Sequence, residues 1–245
     1  MNRYKDFAKI YDELINTDID YKRWANVILE LTKQLNVNFE DYLDIACGTG
    51  NLTKELSCNF KNTWAVDLSM EMLTEAEAKL RGERKKAKFI CQDITSLQLN
   101  RKFDLITCCL DSTNYIIDEE QLELYFSGVY KHLKENGIFI FDINSYYKLT
   151  EVLGDNIFTY NSDDVVYVWE NSLEDDIVNM YLTFFIKQDE LYKRFDEEHE
   201  ERAYKEETIE YYLKKVGFSV IKRLDNYEYK DVKENTERIV YVLKK

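Results

Sequence analysis

Proline is absent from this 245-residue chain, and positive charge is scarce: 33 lysines and arginines stand against 47 acids, a formal charge of −14. Without proline, helix starts and turns have to be made by Asn, Asp, Ser and the 7 glycines. The acidic balance speaks against nucleic acid as a main partner, because such affinity comes largely from a basic face that displaces counterions. A basic cluster such as Arg81-Gly82-Glu83-Arg84-Lys85-Lys86 falls in a loop and reads as a solvated turn. Small neutral or cationic partners suit the charge better. DNA is not expected, and tRNA stays open.

Histidine is nearly missing too. His132 and His199 are the two present, neither has a ligand partner at the usual spacing, and no metal site is expected. The five cysteines (Cys47, Cys58, Cys91, Cys108 and Cys109) form no C-x-x-C pair and read as buried free thiols. No apolar run approaches the ~18 residues of a membrane span. The first residues, Met1-Asn2-Arg3-Tyr4-Lys5-Asp6, lack the apolar centre of a secretion signal, so a cytoplasmic protein is expected. Repeats and low-complexity segments are lacking as well.

What is present suffices for a sizeable core: 45% of residues are hydrophobic and 14% aromatic. The length fits one large α/β domain with an insertion, or two small domains. Residues 1–35 read as an N-terminal helical cap, two helices around the polar break Asn16-Thr17-Asp18-Ile19-Asp20. In the second, Trp24, Ile28, Leu31 and Leu35 recur at helical spacing. Strands near 42–46, 63–67, 87–91, 103–109 and 137–142 then alternate with helices from about Asn51, from Ser69 and across 119–135. Such alternation, with near-continuous apolar strands, marks a doubly wound sheet. Between 154 and 202 it stops. Residues 165–169 and 178–186 are consecutive strands around the polar turn Leu173-Glu174-Asp175-Asp176, which predicts an antiparallel β insertion, or lid, over the sheet's C-terminal edge. A helix over 205–216, stopped by Gly217, and strands at 218–224 and 238–243 return the chain to a core made of 36–153 and 203–245.

The densest signal is Leu43-Asp44-Ile45-Ala46-Cys47-Gly48-Thr49-Gly50, an apolar strand running into small residues, with Asp67 ending the next apolar run. In a doubly wound sheet this first crossover holds a nucleoside. Small residues admit close backbone approach, and the second-strand carboxylate accepts hydrogen bonds from both ribose hydroxyls. A dinucleotide is disfavoured. The G-x-G-x-x-G reading fails at Thr53, where close helix packing wants Gly or Ala, and Asp44 at the mouth of the loop would repel a pyrophosphate. S-adenosylmethionine, with a ribose, an ammonium, a sulfonium and no phosphate, suits an acid at that place.

In this Asp-x-Ala-x-Gly-x-Gly pattern the chain resembles the class I S-adenosylmethionine-dependent methyltransferases. Three further stretches keep the family's order: Gln92-Asp93-Ile94 after a strand, Phe103 to Leu110 as the fourth strand, and Leu133 to Asp142 as the passage into the fifth. The resemblance covers residues 40–145 and implies a Rossmann-like seven-stranded sheet whose final strand is antiparallel. It further implies that Asp67 holds the ribose, that Leu68 and Met72 pack near the adenine, and that Asp93 meets the adenine amino group with Gln92 and Ile94 beside it. Ala46, Cys47 and Gly48 would line the methionine portion. Asp44 would reach its ammonium, which a carbonyl at Cys109 or Leu110 would also receive. Tyr11, in Phe7-Ala8-Lys9-Ile10-Tyr11-Asp12, resembles a segment of small-molecule N-methyltransferases whose tyrosine closes over the methionine end; amphipathic helix packing explains the same spacing.

The acceptor site is expected past the fourth and fifth strands, where crevices open. Asp111, Asn114 and Tyr146 are candidates to bind the acceptor, and Asn114, Tyr115 and His199 are candidates for catalysis. The stretch Asp111-Ser112-Thr113-Asn114-Tyr115 is not the Asn/Asp-Pro-Pro-Tyr motif of amino-methylating DNA enzymes. His199 could act as a base near neutral pH and Arg202 could hold a substrate carboxylate; on an acidic surface strand both would simply pair with glutamates. Methyl transfer from a sulfonium is an in-line displacement that needs alignment and dry surroundings above all. The expectation is N- or O-methylation of a small molecule by a monomer or homodimer. A tRNA or protein methyltransferase and a non-catalytic S-adenosylmethionine-binding protein are the alternatives.

Overall fold

The computed structural model describes residues 19–245, so Tyr11 and the first expected helix lie outside the described residues. Helix α1 (Tyr21–Gln34) begins where the Asp20 carboxylate accepts the Arg23 N–H at 2.9 Å, a cap that satisfies a donor the helix itself cannot. Its stripe of Trp24, Ala25, Ile28 and Leu31 is buried. Then come β1 (Asp41–Ile45), α2 (Asn51–Ser57), β2 (Asn62–Asp67), α3 (Met70–Gly82), β3 (Lys88–Cys91), β4 (Phe103–Cys108), α4 (Glu119–His132) and β5 (Leu133–Asn144). Strands β6 (Ile157–Asn161), β7 (Val165–Glu174), β8 (Ile177–Gln188) and β9 (Leu191–Arg202) follow without an intervening helix. The chain closes with α5 (Glu206–Val216), β10 (Ser219–Asp225) and β11 (Arg238–Lys244).

Seven strands form one sheet in the order β10-β11-β5-β4-β1-β2-β3. Strands β1 to β5 pair in parallel, and β11 runs antiparallel to both β5 and β10. This is the doubly wound, Rossmann-like class expected. Alternation along β5 divides the core: Phe139, Phe141 and Ile143 face α4 and α5, while Ile138 and Ile140 face α1 and α2. The strand order turns back between β1 and β4, which opens a crevice at their C-terminal ends.

Helix α4 stops at His132, earlier than its pattern suggested, because the chain passes directly into β5. The passage is tight: a Cβ on Gly137 would lie 3.0 Å from the Phe103 and Lys134 carbonyl oxygens.

The other four strands form a separate antiparallel sheet, β6-β7-β8-β9. Two of its strands are plain in the sequence; β6 and β9 are additions. Strand β9 is concealed by its composition, since Glu197-Glu198-His199-Glu200-Glu201 offers no apolar alternation. Its partner is β8, whose Val178 and Met180 pack on Leu149 and Leu153 of a π-helical turn (Lys148–Leu153) and on Ala203. Among the described residues no helix is long and apolar enough to cross a membrane.

Gly50 caps α2 in the left-handed region, at φ 75°, and a Cβ there would fall 2.9 Å from the Ala76 Cβ of α3. Gly50→Ala combines that collision with backbone strain and should cost about 1–3 kcal/mol. Urea unfolding should show a lower midpoint with an unchanged slope.

Candidate functional site

A cavity of about 430 Å³ opens at the C-terminal ends of β1, β2 and β4, within the ~300–1,000 Å³ usual for small-molecule sites. The loop after β1 forms its floor. Ala46, Gly48 and Gly50 all take positive φ, and the Cys47 N–H is received by the Val66 carbonyl at 3.0 Å, so the turn is locked to β2. A Cβ on Gly48 would meet nothing within 4 Å, so a side chain there would stand in the cavity itself.

Asp44 is buried at the mouth of this loop. Thr53 Oγ1 donates to its Oδ2 at 2.5 Å and Thr107 Oγ1 to its Oδ1 at 2.7 Å. Burial pushes its carboxyl up to about 6, although these hydroxyls pull the other way. Thr53, which breaks the dinucleotide motif, is thus the residue that braces the acid. Asp67 ends β2. Its Oδ2 accepts the Gly48 N–H at 2.7 Å and its Oδ1 the Ser69 N–H at 2.9 Å, so the carboxylate is fixed between the loop and the start of α3. Burial raises its pKa as well, against the pull of those N–H groups.

At the other end, the loop after β4 holds Leu110 and Asp111 at φ 64° and 54°. Asp142 of β5 fixes this costly backbone. It accepts the Leu110 N–H at 2.9 Å, the Asp111 N–H at 2.8 Å, the Tyr227 hydroxyl at 2.5 Å and Arg238 Nη1. Arg238 Nη2 also reaches the Asp111 carboxylate at 2.6 Å. Across the opening, His199 of β9 lines the same cavity, with the Tyr115 ring edge-on to it at 5.9 Å. Burial lowers the imidazole pKa.

The structure brings most of the residues singled out in the sequence to this cavity. Asp44, Ala46, Cys47, Gly48 and Asp67 line it, as do Leu68, Met72, Asp93, Ile94 and Cys109. Asp111, Tyr115 and His199 line its other side. Four candidates are corrected. Gln92 turns away to accept the Gln98 N–H at 2.8 Å. Asn114 is wholly buried: its Nδ2 donates to the Asn144 and Arg202 carbonyls at 3.1 and 3.0 Å, and its Oδ1 accepts the Asn144 N–H at 3.0 Å. Tyr146 donates to Asp176 at 2.8 Å. Arg202 donates to the Ile117 carbonyl at 2.7 Å and to Glu119 at 2.8 Å, outside the cavity. Each is spent on holding β9, β5 or a loop in place. Thr107, Asp142 and Arg238 were missed by sequence reasoning, since they act only through contacts distant in the chain. Gln121, which lines the cavity from α4, left no signal either.

The donor set tests the ligand. Four carboxylates line the cavity (Asp44, Asp67, Asp93 and Asp111), and among the described residues no lysine or arginine does. A phosphate would be repelled and a cation drawn in. With apolar Leu68, Met72 and Ile94 beside the acids, the lining fits an aromatic base, a ribose and two positive charges.

Comparison with known proteins agrees. A methyltransferase-domain family matches residues 43–137. A candidate methyltransferase of Geobacillus sp. (strain WCH70) is 33% identical over 99% of both chains. The crystal structure of an S-adenosylmethionine-dependent methyltransferase from Clostridium acetobutylicum ATCC 824 is 60% identical, covers 99% of both chains and superposes with a TM-score of 0.94. A dTDP-3-amino-3,4,6-trideoxy-alpha-D-glucopyranose N,N-dimethyltransferase of Streptomyces venezuelae is 28% identical over 55% of this chain and 56% of its own. The chain belongs to the class I S-adenosylmethionine-dependent methyltransferases. It is an enzyme, and its cofactor is S-adenosylmethionine.

The Asp44 carboxyl titrates near 6 rather than at its ordinary 3.8. The folded state therefore disfavours the ionised form, and stability present below pH ~4 is lost as pH rises through about 6. In cofactor-free protein at pH 8, Asp44→Asn should raise the unfolding free energy by up to about 3 kcal/mol, a gain that vanishes at pH 4 in chemical denaturation.

Proposed function

We propose that the chain methylates a small molecule held between the loop after β4 and the antiparallel sheet, at an amine in preference to a hydroxyl. The observation that carries this reading is the shared cavity: Tyr115 and His199 face the same space as the cofactor loop, and its described lining is acidic. An acceptor bearing a carboxylate or phosphate would find no countercharge there. The amino-sugar dimethyltransferase relative supports the preference for nitrogen.

Bound S-adenosylmethionine supplies a methyl carbon made electrophilic by its sulfonium. Asp67 holds the ribose hydroxyls, and Asp44 with the Cys109 carbonyl receives the ammonium. Leu68, Met72 and Ile94 pack against the adenine, whose amino group meets Asp93. The loop of Ala46, Cys47 and Gly48 lines the methionine portion. Asp111 and Tyr115 flank the acceptor. Residues 154–202 act as a lid that excludes water.

Asp67→Ala should weaken S-adenosylhomocysteine binding ~10–100-fold in calorimetry, the loss of bonds to a charged acceptor, with circular dichroism unchanged. A screen for S-adenosylhomocysteine release across amines, amino sugars, phenols, carboxylic acids and tRNA tests the acceptor. Turnover confined to amines supports the reading. Release only with tRNA, or only with carboxylic acids, overturns it.

A further inference from the structure

We propose that Asn144 and Glu201 are positioning residues for the acceptor. Through Arg238 they tie the end of β9 to Asp111, so that the acceptor binds tightly only while the antiparallel sheet is seated. This rests on the reading of an amine acceptor held between that sheet and the loop after β4.

The relay has four members from four parts of the chain. Glu201, next to last in β9, is buried, and its Oε2 accepts Asn144 Nδ2 at 2.8 Å. The Oδ1 of the same carboxamide accepts Arg238 Nη2 at 3.3 Å, and that one nitrogen also donates to Asp111 Oδ1 at 2.6 Å. Asn144 and Arg238 stand opposite each other in register across β5 and β11. Of the four, Asp111 alone lines the cavity. A displacement of β9 therefore reaches the cavity wall through three hydrogen bonds.

The hub calls for a carboxamide. Its oxygen meets two cations that can only donate, Arg238 and Lys148, whose Nζ lies 2.9 Å away. Its nitrogen meets an acid and has to donate. An aspartate at 144 would set carboxyl against carboxyl, and a leucine would leave buried polar groups on both sides without a partner. The backbone of Asn144 is pinned as well. Asn114 Oδ1 accepts its N–H at 3.0 Å, and Asn114 Nδ2 donates to its carbonyl at 3.1 Å. The same Nδ2 donates to the Arg202 carbonyl at 3.0 Å, so β9 is fastened at two successive residues to one pair of asparagines. Apolar packing would tolerate sliding; a fully satisfied polar pair permits one seating.

Burial pushes the Glu201 carboxyl up to about 8. The Asp111 charge adds to the rise, while Asn144, Lys148 and Arg238 pull the other way. At neutral pH the group holds its proton, so glutamine replaces it without a change of charge and still offers an oxygen to Asn144.

The test compares Glu201→Gln with Glu201→Met in the full chain, assayed with an amine identified by the screen. Glu201→Gln keeps the relay and should leave the amine KM within about twofold of the parent. Glu201→Met cuts it and should raise that KM about 10-fold, inside the ~5–150-fold of ordinary couplings between sites. Its kcat at saturating amine and its S-adenosylhomocysteine affinity in calorimetry should stay within about threefold. In an Asp111→Ala background the same change should raise KM by less than about threefold, since the relay has lost its last member. The unaltered chain gives a check free of any folding defect. Adding the amine to the S-adenosylhomocysteine complex should slow amide exchange across residues 201–204, which do not line the cavity, as well as at 110–115. A KM unmoved by Glu201→Met, a Glu201→Gln loss as large as that of Glu201→Met, an undiminished effect in the Asp111→Ala background, or protection confined to 110–115 overturns the assignment. Failure of the underlying reading looks different: the unaltered chain then turns over no amine at all.

Discussion

Asp142 sits at the end of β5 without access to solvent, and four donors converge on it from three parts of the chain. Two are backbone N–H groups of a loop in the left-handed region, one is a phenol from the segment after β10, and one is a guanidinium at the start of β11. A lone buried carboxylate would be costly, and breaking such a cluster costs more than its assembly contributes. Here every lone pair has a purpose. The acid converts an unfavourable backbone into a fixed rim and ties the two antiparallel strands at the sheet's edge to the parallel core. Trp24 stacks on Tyr227 at 4.2 Å, so α1 is drawn into the same assembly.

The second constraint is the absence of phosphate-binding chemistry in a fold that often provides it. The loop after β1 has the glycines and positive φ values of a nucleotide site, yet Asp44 occupies its mouth. Keeping that acid there without water requires hydroxyl donors, and Thr53 and Thr107 supply them from α2 and β4. The charge at the mouth of the loop thus rests on one side chain and the two hydroxyls that hold it.

Much of this was legible in the sequence. Asp44, Gly48 and Asp67 stand within a short stretch whose local pattern coincides with the lining of the cavity, and the parallel strands announce themselves by continuous apolar runs. The acceptor end was read less well. Asn114, Tyr146 and Arg202 are polar residues in the right neighbourhood whose hydrogen bonds are taken by backbone and side chains up to 88 residues away, which no spacing rule reveals. Strand β9 carries its inward residues as Glu197, His199 and Glu201, so its burial cannot be seen in hydropathy. The bonds of Glu201 to Asn144 and of Arg202 to Glu119 show why such a polar strand is retained: it is fastened by hydrogen bonds more than by apolar packing.

The ring of four acids also bears on how the spent cofactor departs. Transfer erases the sulfonium charge, and a neutral thioether is left facing walls arranged for a cation. The Coulombic hold on that end of the molecule lapses at the moment the methyl has gone. The acids that would draw in the charged nucleoside would thus give its neutral product less hold.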